Sequence, residues 1–337
     1  GQEVMEEKSA SPMFKKYAEK YLESPHLSAS TVRGYNSILK VHILPVFKSK
    51  ALDEITREDI KDLAFGKLKG GLSKSRTVQM VMVLSGLFSE AMEDRHVDRN
   101  PASKLTKLLN NKKDALKDGD TIEEEVFPFS PDELRAHQVM CKELYPDHPY
   151  ATYFLTLART GVRTSEGIGL KAEDIDFDAM TIHIRRAIVE GELTTPKDGE
   201  SRKVEMTPQL TEVLQGHIRA HPGEWLFTNG AGNPLDDGRL RRVHYKVCKE
   251  AELENGKKRG IHQIRHSYAT NRLGLGHDIA DVSKQLGHKD IGLTYKYYYD
   301  WVPKKNNRQV DALDDPKNAP YVHPTAPQEK RVSEYVH

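Results

Sequence analysis

The sequence predicts a mainly α protein of two domains, a helical bundle followed by a mostly helical domain that carries one small β-hairpin. Three observations predict it. The 337 residues exceed what one ordinary hydrophobic core holds. Apolar residues recur at helical spacing through most of the chain, and one stretch, Thr181 to Met206, alternates as strands do.

From Met13 to about Leu108 the pattern is helical. Phe14, Tyr17, Ala18 and Tyr21 fall three and four apart, and Val78, Val81, Met82, Leu84, Leu87, Phe88 and Met92 form a broad apolar stripe. Four or five helices are expected. Ser28, Ser30 and Thr31 offer N-caps, Pro45 is expected to end the helix they start, Thr56 and Ser73 cap the next two, and Asn100-Pro101 closes the bundle. Asn110 to Glu125 is polar without an apolar face and reads as a linker. Ser130-Pro131-Asp132-Glu133 then opens a new helix, with a Ser cap, Pro at the first position and acids in the first turn. In the strand-like stretch, Ile182 and Ile184 alternate with His183 and Arg185, Asp198-Gly199 supplies a turn, and Val204 and Met206 alternate again. After Pro303 the chain is polar and aperiodic to His337. The expected bounds are 13–108 for the first domain, 109–127 for the linker, 128–304 for the second domain and 305–337 for a tail.

Composition narrows the classes. No apolar run approaches the length that spans a bilayer, so a membrane role is not expected. The two cysteines, Cys141 and Cys248, have neither CxxC nor Cys/His ligand spacing, which predicts no disulfide framework and no zinc site and suits a reducing cytosol. Gln2 to Ala10 resembles neither a signal nor a transit peptide, and Gly1 in place of Met suggests a trimmed start. A net charge of +1 conceals an asymmetry: residues 12–108 hold 17 Lys+Arg against 11 Asp+Glu (+6), leaving 34 against 39 (−5) elsewhere. The basic first domain permits a nucleic-acid partner without requiring one.

Metal-free cleavage of a phosphodiester needs a nucleophile, cations around the non-bridging oxygens and an acid for the departing oxygen. The second domain offers each kind. Arg163 follows Thr160-Gly161-Val162, where Gly161 is expected to end one helix and Ser165 to cap the next. A guanidinium there suits a bidentate grip on phosphate oxygens. His262 and Arg265 lie three apart on one helical face, opposite Ile261, Ile264 and Tyr268. His262 and His266 also have the four-residue spacing of a zinc-protease motif, but Gln263 stands where that motif needs its Glu base. Leu286-Gly287-His288 precedes a run with four tyrosines within five residues, Tyr295, Tyr297, Tyr298 and Tyr299. Judged singly, each of these is an ordinary surface or packing residue.

Taken in order, the segments resemble the tyrosine recombinase, or phage integrase, family of lambda-type site-specific recombinases. Its signature is an Arg in a TGxRxSE-like segment, a hairpin Lys, HxxRH, LGH and a Tyr nine or ten residues after that last His. Here these are Thr160 to Glu166, Lys197 or Lys203, His262 to His266, Leu286-Gly287-His288, and the tyrosine run. Lys197 is preferred because the family's lysine sits at the hairpin turn, ahead of a strand resembled by Arg202 and Val204-Glu205-Met206. Counting nine from His288 gives Tyr297 and counting ten gives Tyr298. The family's T-x-x-x-Y-x-H-L-x-P pattern, met by Thr294, Tyr298, Trp301 and Pro303 but with Asp300 for His, favours Tyr298 and leaves Tyr297 as the alternative. Ser30 to Tyr35, His42 to Phe47 and Asp98 to Ala102 resemble the family's core-binding domain, so the likeness spans roughly residues 13 to 303.

The resemblance implies a SAM-like core-binding bundle joined to a catalytic domain, and an enzyme that cuts and rejoins DNA through a 3′-phosphotyrosine on Tyr298. Arg163, His262, Arg265 and His288 would hold or proton-balance the phosphate, Lys197 would protonate the leaving oxygen, and Glu166 would orient its neighbours. No metal, ATP or other cofactor is implied. Implied partners are double-stranded DNA, three further protomers in a homotetramer on two sites passing through a Holliday junction, and accessory DNA-bending or directionality factors. The tail after 305 would pack in trans, as such tails often do in integrases of mobile elements. A cytoplasmic, nucleoid-associated protein of bacterial or phage origin follows. Two alternatives share the fold: a type IB-like topoisomerase, which relaxes DNA without exchanging partners, and a catalytically idle DNA-binding regulator.

Overall fold

Helix starts are set by short polar side chains that accept the first orphan N–H groups. In the computed structural model, which describes residues 11–111, 126–196, 200–254 and 258–302, Ser28 accepts from Thr31 N at 3.2 Å, Ser73 from Arg76 N at 3.2 Å and Ser130 from Glu133 N at 3.2 Å. Thr56 and Asp59 cap each other reciprocally, as do Ser130 and Glu133. The chain divides into two compact units, residues 1–126 and 127–337.

In the first unit the elements are α1 (Phe14–Leu22), α2 (Ala29–Ile38), α3 (Leu44–Phe47), α4 (Arg57–Lys69), α5 (Lys74–Glu93) and α6 (Leu105–Asn111). Helix α5 is the spine. Its Met80, Val81, Val83, Leu84, Leu87 and Phe88 are fully buried, and the Phe14 ring meets Phe47 edge-on at 5.8 Å. Three expectations are corrected. Pro45 does not stop the α2 helix: a π-turn over Leu39–Ile43 widens the spiral and Pro45 falls in the first turn of α3. Proline has no N–H to give to the carbonyl four residues back and its ring crowds that carbonyl, and the wider turn absorbs both penalties. Asn100-Pro101 does not close the bundle, since α6 follows and Ala102, Leu105 and Leu109 join the core. Met82 and Met92, counted in the apolar stripe, are exposed.

The second unit holds α7 (Pro131–Leu144), α8 (Tyr150–Thr160), α9 (Thr164–Ile168), α10 (Pro208–Ala220), α11 (Asp237–Glu250), α12 (His262–Gly274), α13 (Ile279–Leu286) and α14 (Ile291–Tyr298). Five short strands lie between α9 and α10: β1 (Ile175–Asp176), β2 (Thr181–Ile184), β3 (Ala187–Val189), β4 (Glu192–Thr194) and β5 (Arg202–Glu205). The expected hairpin is more elaborate than alternation suggested. Strands β2 and β5 pair antiparallel with the buried Ile182 opposite Val204, and β1 adds to the β2 edge. Between them β3 and β4 form a second, separate two-stranded sheet. Its turn is Glu190-Gly191, both at positive φ, the geometry that matches strand twist in a two-residue hairpin. The Asp198-Gly199 turn, Pro303 and the tail from residue 305 lie outside the described residues.

The core of this unit collects Tyr153, Phe154 and Leu157 of α8, Leu210 and Leu214 of α10, and Leu240, Val243 and Val247 of α11. Cys248 proves to neighbour two histidines, which its sequence spacing did not suggest. His137 Nε2 lies 3.1 Å from His244 Nδ1, and His244 Nε2 lies 2.9 Å from the Arg259 carbonyl. Burial lowers both imidazoles and raises the Cys248 thiol to about 12, so the group is neutral and internally hydrogen-bonded. Among the described residues no helix is long and apolar enough to cross a membrane.

Candidate active site

The site is assembled where three helix ends meet one strand. Helix α8 ends at Gly161, whose φ of +68° is the left-handed cap that glycine tolerates. The chain then turns through Val162 into α9, and Arg163 itself, in extended conformation, is the N-cap residue. Ser165, expected as the cap, lies inside the first turn. Glu166 supplies the capping instead, its carboxylate accepting the Arg163 N–H at 2.8 Å. A β-carbon at Gly161 would strike the Tyr268 ring of α12. Gly161→Ala is therefore expected to cost about 2–4 kcal/mol from left-handed strain plus overpacking. Urea unfolding checks this, and a variant as stable as the parent would refute the cap as drawn.

Glu166 is completely buried, and it is surrounded by guanidinium groups. It takes Arg163 Nη1 at 3.0 Å, and Arg202 of β5 grips both its oxygens, Nη1 at 2.9 Å and Nη2 at 2.7 Å. Burial alone would raise its pKa, but the Arg202 fork, the Arg163 N–H and the Arg265 charge outweigh it and hold the carboxyl near 2. Arg202 also donates through Nε to the Gln285 carbonyl at 3.1 Å and packs so closely on Gly287 that a β-carbon there would lie 2.8 Å from Arg202 Cδ. Gly287, at φ +69°, caps α13 and turns the chain toward His288.

Arg265 was expected on an exposed polar helix face, yet it is 3% exposed. Its Nη1 donates to the Gly161 carbonyl and Nη2 to the Leu286 carbonyl, both at 2.7 Å, so two of its five donors tie α12 to the α8 and α13 ends. Desolvation and then Arg163 lower its pKa, and it remains cationic at neutral pH. His288 Nδ1 lies 2.7 Å from Thr294 Oγ1 of α14. His262, at the start of α12, sits edge-on to the His266 ring at 4.8 Å. Desolvation, followed by His266, Arg265, Arg163 and His288, lowers its imidazole pKa.

Tyr298, at the end of α14, is 1% exposed, and its hydroxyl lies 2.6 Å from His266 Nδ1. Tyr297 is half-buried with its ring 6.5 Å from His266, and Tyr299 is exposed. The structure thus brings Arg163, Glu166, Arg265, His262, His288 and Tyr298 to one region. Lys197 lies outside the described residues. Arg202 and His266 stood in the quoted motifs but were given no role there, and the structure places both in the cluster. Arg163, Arg202, Lys284, His288 and Lys289 line an adjoining cavity of about 200 Å³. Three guanidinium groups around one carboxylate leave a local charge of +2, which an oxyanion can balance.

Comparison with known proteins identifies the family. The model of the phage integrase family matches residues 131–304, and that of the phage integrase N-terminal SAM-like domain matches residues 13–66. A putative prophage phiRv2 integrase of Mycobacterium tuberculosis is 27% identical over 311 residues, 89% of this chain and 77% of that protein. Among solved structures, the Tn1549 transposon integrase with circular intermediate DNA superposes with a TM-score of 0.71 at 21% identity, covering 86% of this chain and 95% of the other. A lambda integrase tetramer bound to a Holliday junction gives 0.65 at 19% identity, over 83% and 78%. With more than half of its length matched by the phage integrase family model and residues 13–66 by the SAM-like one, the chain belongs to the phage integrase family and is a tyrosine recombinase.

Proposed function

We propose that this recombinase cuts and rejoins specific DNA sites for the integration and excision of a mobile element, through a 3′-phosphotyrosine on Tyr298. The observation that carries the reading is the cationic cluster beside a tyrosine hydroxyl: Arg163, Arg202 and Arg265 around Glu166, with Tyr298 on the neighbouring α14. Attack on a DNA phosphate places extra negative charge on its non-bridging oxygens. Fixed guanidinium donors in a water-poor site stabilise that charge without reorganising. Arg163, Arg265, His262 and His288 hold the phosphate in this reading, Lys197 protonates the departing 5′ oxygen, and Glu166 aligns Arg163. The phosphotyrosyl bond conserves the phosphodiester energy, so resealing needs neither ATP nor metal.

Mobile-element work is supported by relatives named for a prophage and a transposon, and a tetramer on two duplexes by the lambda integrase assembly. The basic first domain, at +6 over residues 12–108, suits the DNA backbone. Test duplexes are to be drawn from the DNA that flanks its gene. With EDTA and no ATP, the purified chain is expected to join the left arm of one labelled duplex to the right arm of another. Relaxation of supercoiled DNA without such joint products would instead make it a topoisomerase, and binding without either would make it an idle regulator.

A further inference from the structure

We propose that His266 is the proton acceptor for Tyr298 during strand cleavage; this rests on Tyr298 being the nucleophile. The geometry is direct. His266 Nδ1 and the Tyr298 hydroxyl are 2.6 Å apart, and both residues are buried, at 4% and 1% exposure. A phenol is a donor at neutral pH, so Nδ1 is the accepting lone pair and the imidazole proton resides on Nε2. Burial first, and then the Arg265 charge, lowers the His266 pKa to about 4, which keeps that lone pair free of a proton at neutral pH.

Two of the other bases are already engaged, and His262 meets the His266 ring edge-on at 4.8 Å. Glu166 is held by Arg163 and Arg202, and His288 Nδ1 is paired with Thr294. His266 Nε2, in contrast, is buried with no hydrogen-bond partner among the described residues. A polar ring atom kept buried without a partner is unfavourable for stability, and its persistence beside the reacting hydroxyl points to chemistry. The burial of Tyr298 is no obstacle peculiar to this role. Arg265 is covered to a similar degree, 3% exposed against 1% for Tyr298, so contact of a phosphate with either group requires the site to open.

The step balances. As the Tyr298 oxygen bonds to phosphorus, its proton passes to His266 Nδ1, giving an imidazolium. The bond from phosphorus to the 5′ oxygen breaks, and that oxygen takes a proton from Lys197, giving a neutral amine. On resealing the 5′-hydroxyl returns its proton to Lys197, and the imidazolium returns its own to Tyr298.

The test uses the full chain and a nicked duplex carrying the site it joins, with either an ordinary scissile phosphate or a 5′-bridging sulfur that leaves without an acid. His266→Gln keeps a neutral polar side chain of similar size but cannot take the proton. Single-turnover cleavage by H266Q is expected to fall about 10²- to 10³-fold at pH 7. It should recover about tenfold per pH unit as hydroxide replaces the base. The bridging sulfur should not restore it, and DNA affinity should be unchanged. Wild-type cleavage by H266Q, a loss equal at every pH, or rescue by the sulfur substrate overturns the proposal. If H266Q loses DNA binding through misfolding, His266→Asn is read by the same criteria. Adduct mapping on the wild-type chain separates the two readings: adduct on Tyr297 removes the nucleophile assignment itself, whereas adduct on Tyr298 with a fully active H266Q removes only the role of His266.

Discussion

Tyr298→Phe is expected to abolish the covalent DNA adduct, lowering strand cleavage by at least about 10⁴-fold while DNA binding persists. The substitution removes one oxygen and keeps the buried ring, so packing at the end of α14 survives. What is lost besides the nucleophile is the donor to His266 Nδ1, leaving a buried acceptor without its partner at a stability cost of about 1–3 kcal/mol. Folding should therefore be checked by circular dichroism beside the assay, an SDS-stable protein–DNA band on a nicked suicide duplex. Tyr297→Phe, made in parallel, is expected to keep the band, because that ring lies beside His266 without the short hydrogen bond. The opposite pattern would move the nucleophile to Tyr297.

Glu166→Gln should produce the largest stability loss of any single change in the cluster, about 3–5 kcal/mol at neutral pH. The carboxylate is fully buried, and its partners Arg163 and Arg202 are only 19% and 13% exposed, so solvent does little to replace the lost charge. Gln keeps the shape but leaves three guanidinium groups facing one another. Acid should shrink the difference. Because the folded carboxyl titrates near 2 and the unfolded one near 4.5, its contribution is fully present above the unfolded value and declines as pH falls toward 2. Denaturation of both proteins between pH 7 and pH 3 tests this, with the gap expected to narrow by about 2 kcal/mol at the acid end. A gap independent of pH would mean that shape, not charge, is what Glu166 contributes.

Much of this was legible in the sequence because it is local. Arg163, His262, Arg265 and His288 stand in short segments whose residue order carries the family likeness, and caps such as Ser130 with Glu133 are a matter of three-residue spacing. The remainder depends on contacts between distant segments. Arg202 and Glu166 are 36 residues apart and His266 and Tyr298 are 32 apart, so no periodicity marks either pair. Arg265 shows the limit plainly: a helical wheel puts a charged residue outside, and the Gly161 and Leu286 carbonyls with the Glu166 charge make its burial tolerable. The π-turn before Pro45 escaped for a related reason, since a proline normally signals a stop.

The two carbonyls that hold Arg265 come from 104 residues before it and 21 residues after it. Loop closure over such separations comes late in folding, after local helices have formed. The reactive centre is consequently absent from every short fragment of the chain. During synthesis, the cluster around Arg265 is therefore expected to stay incomplete until Leu286 and the tyrosines beyond it have left the ribosome.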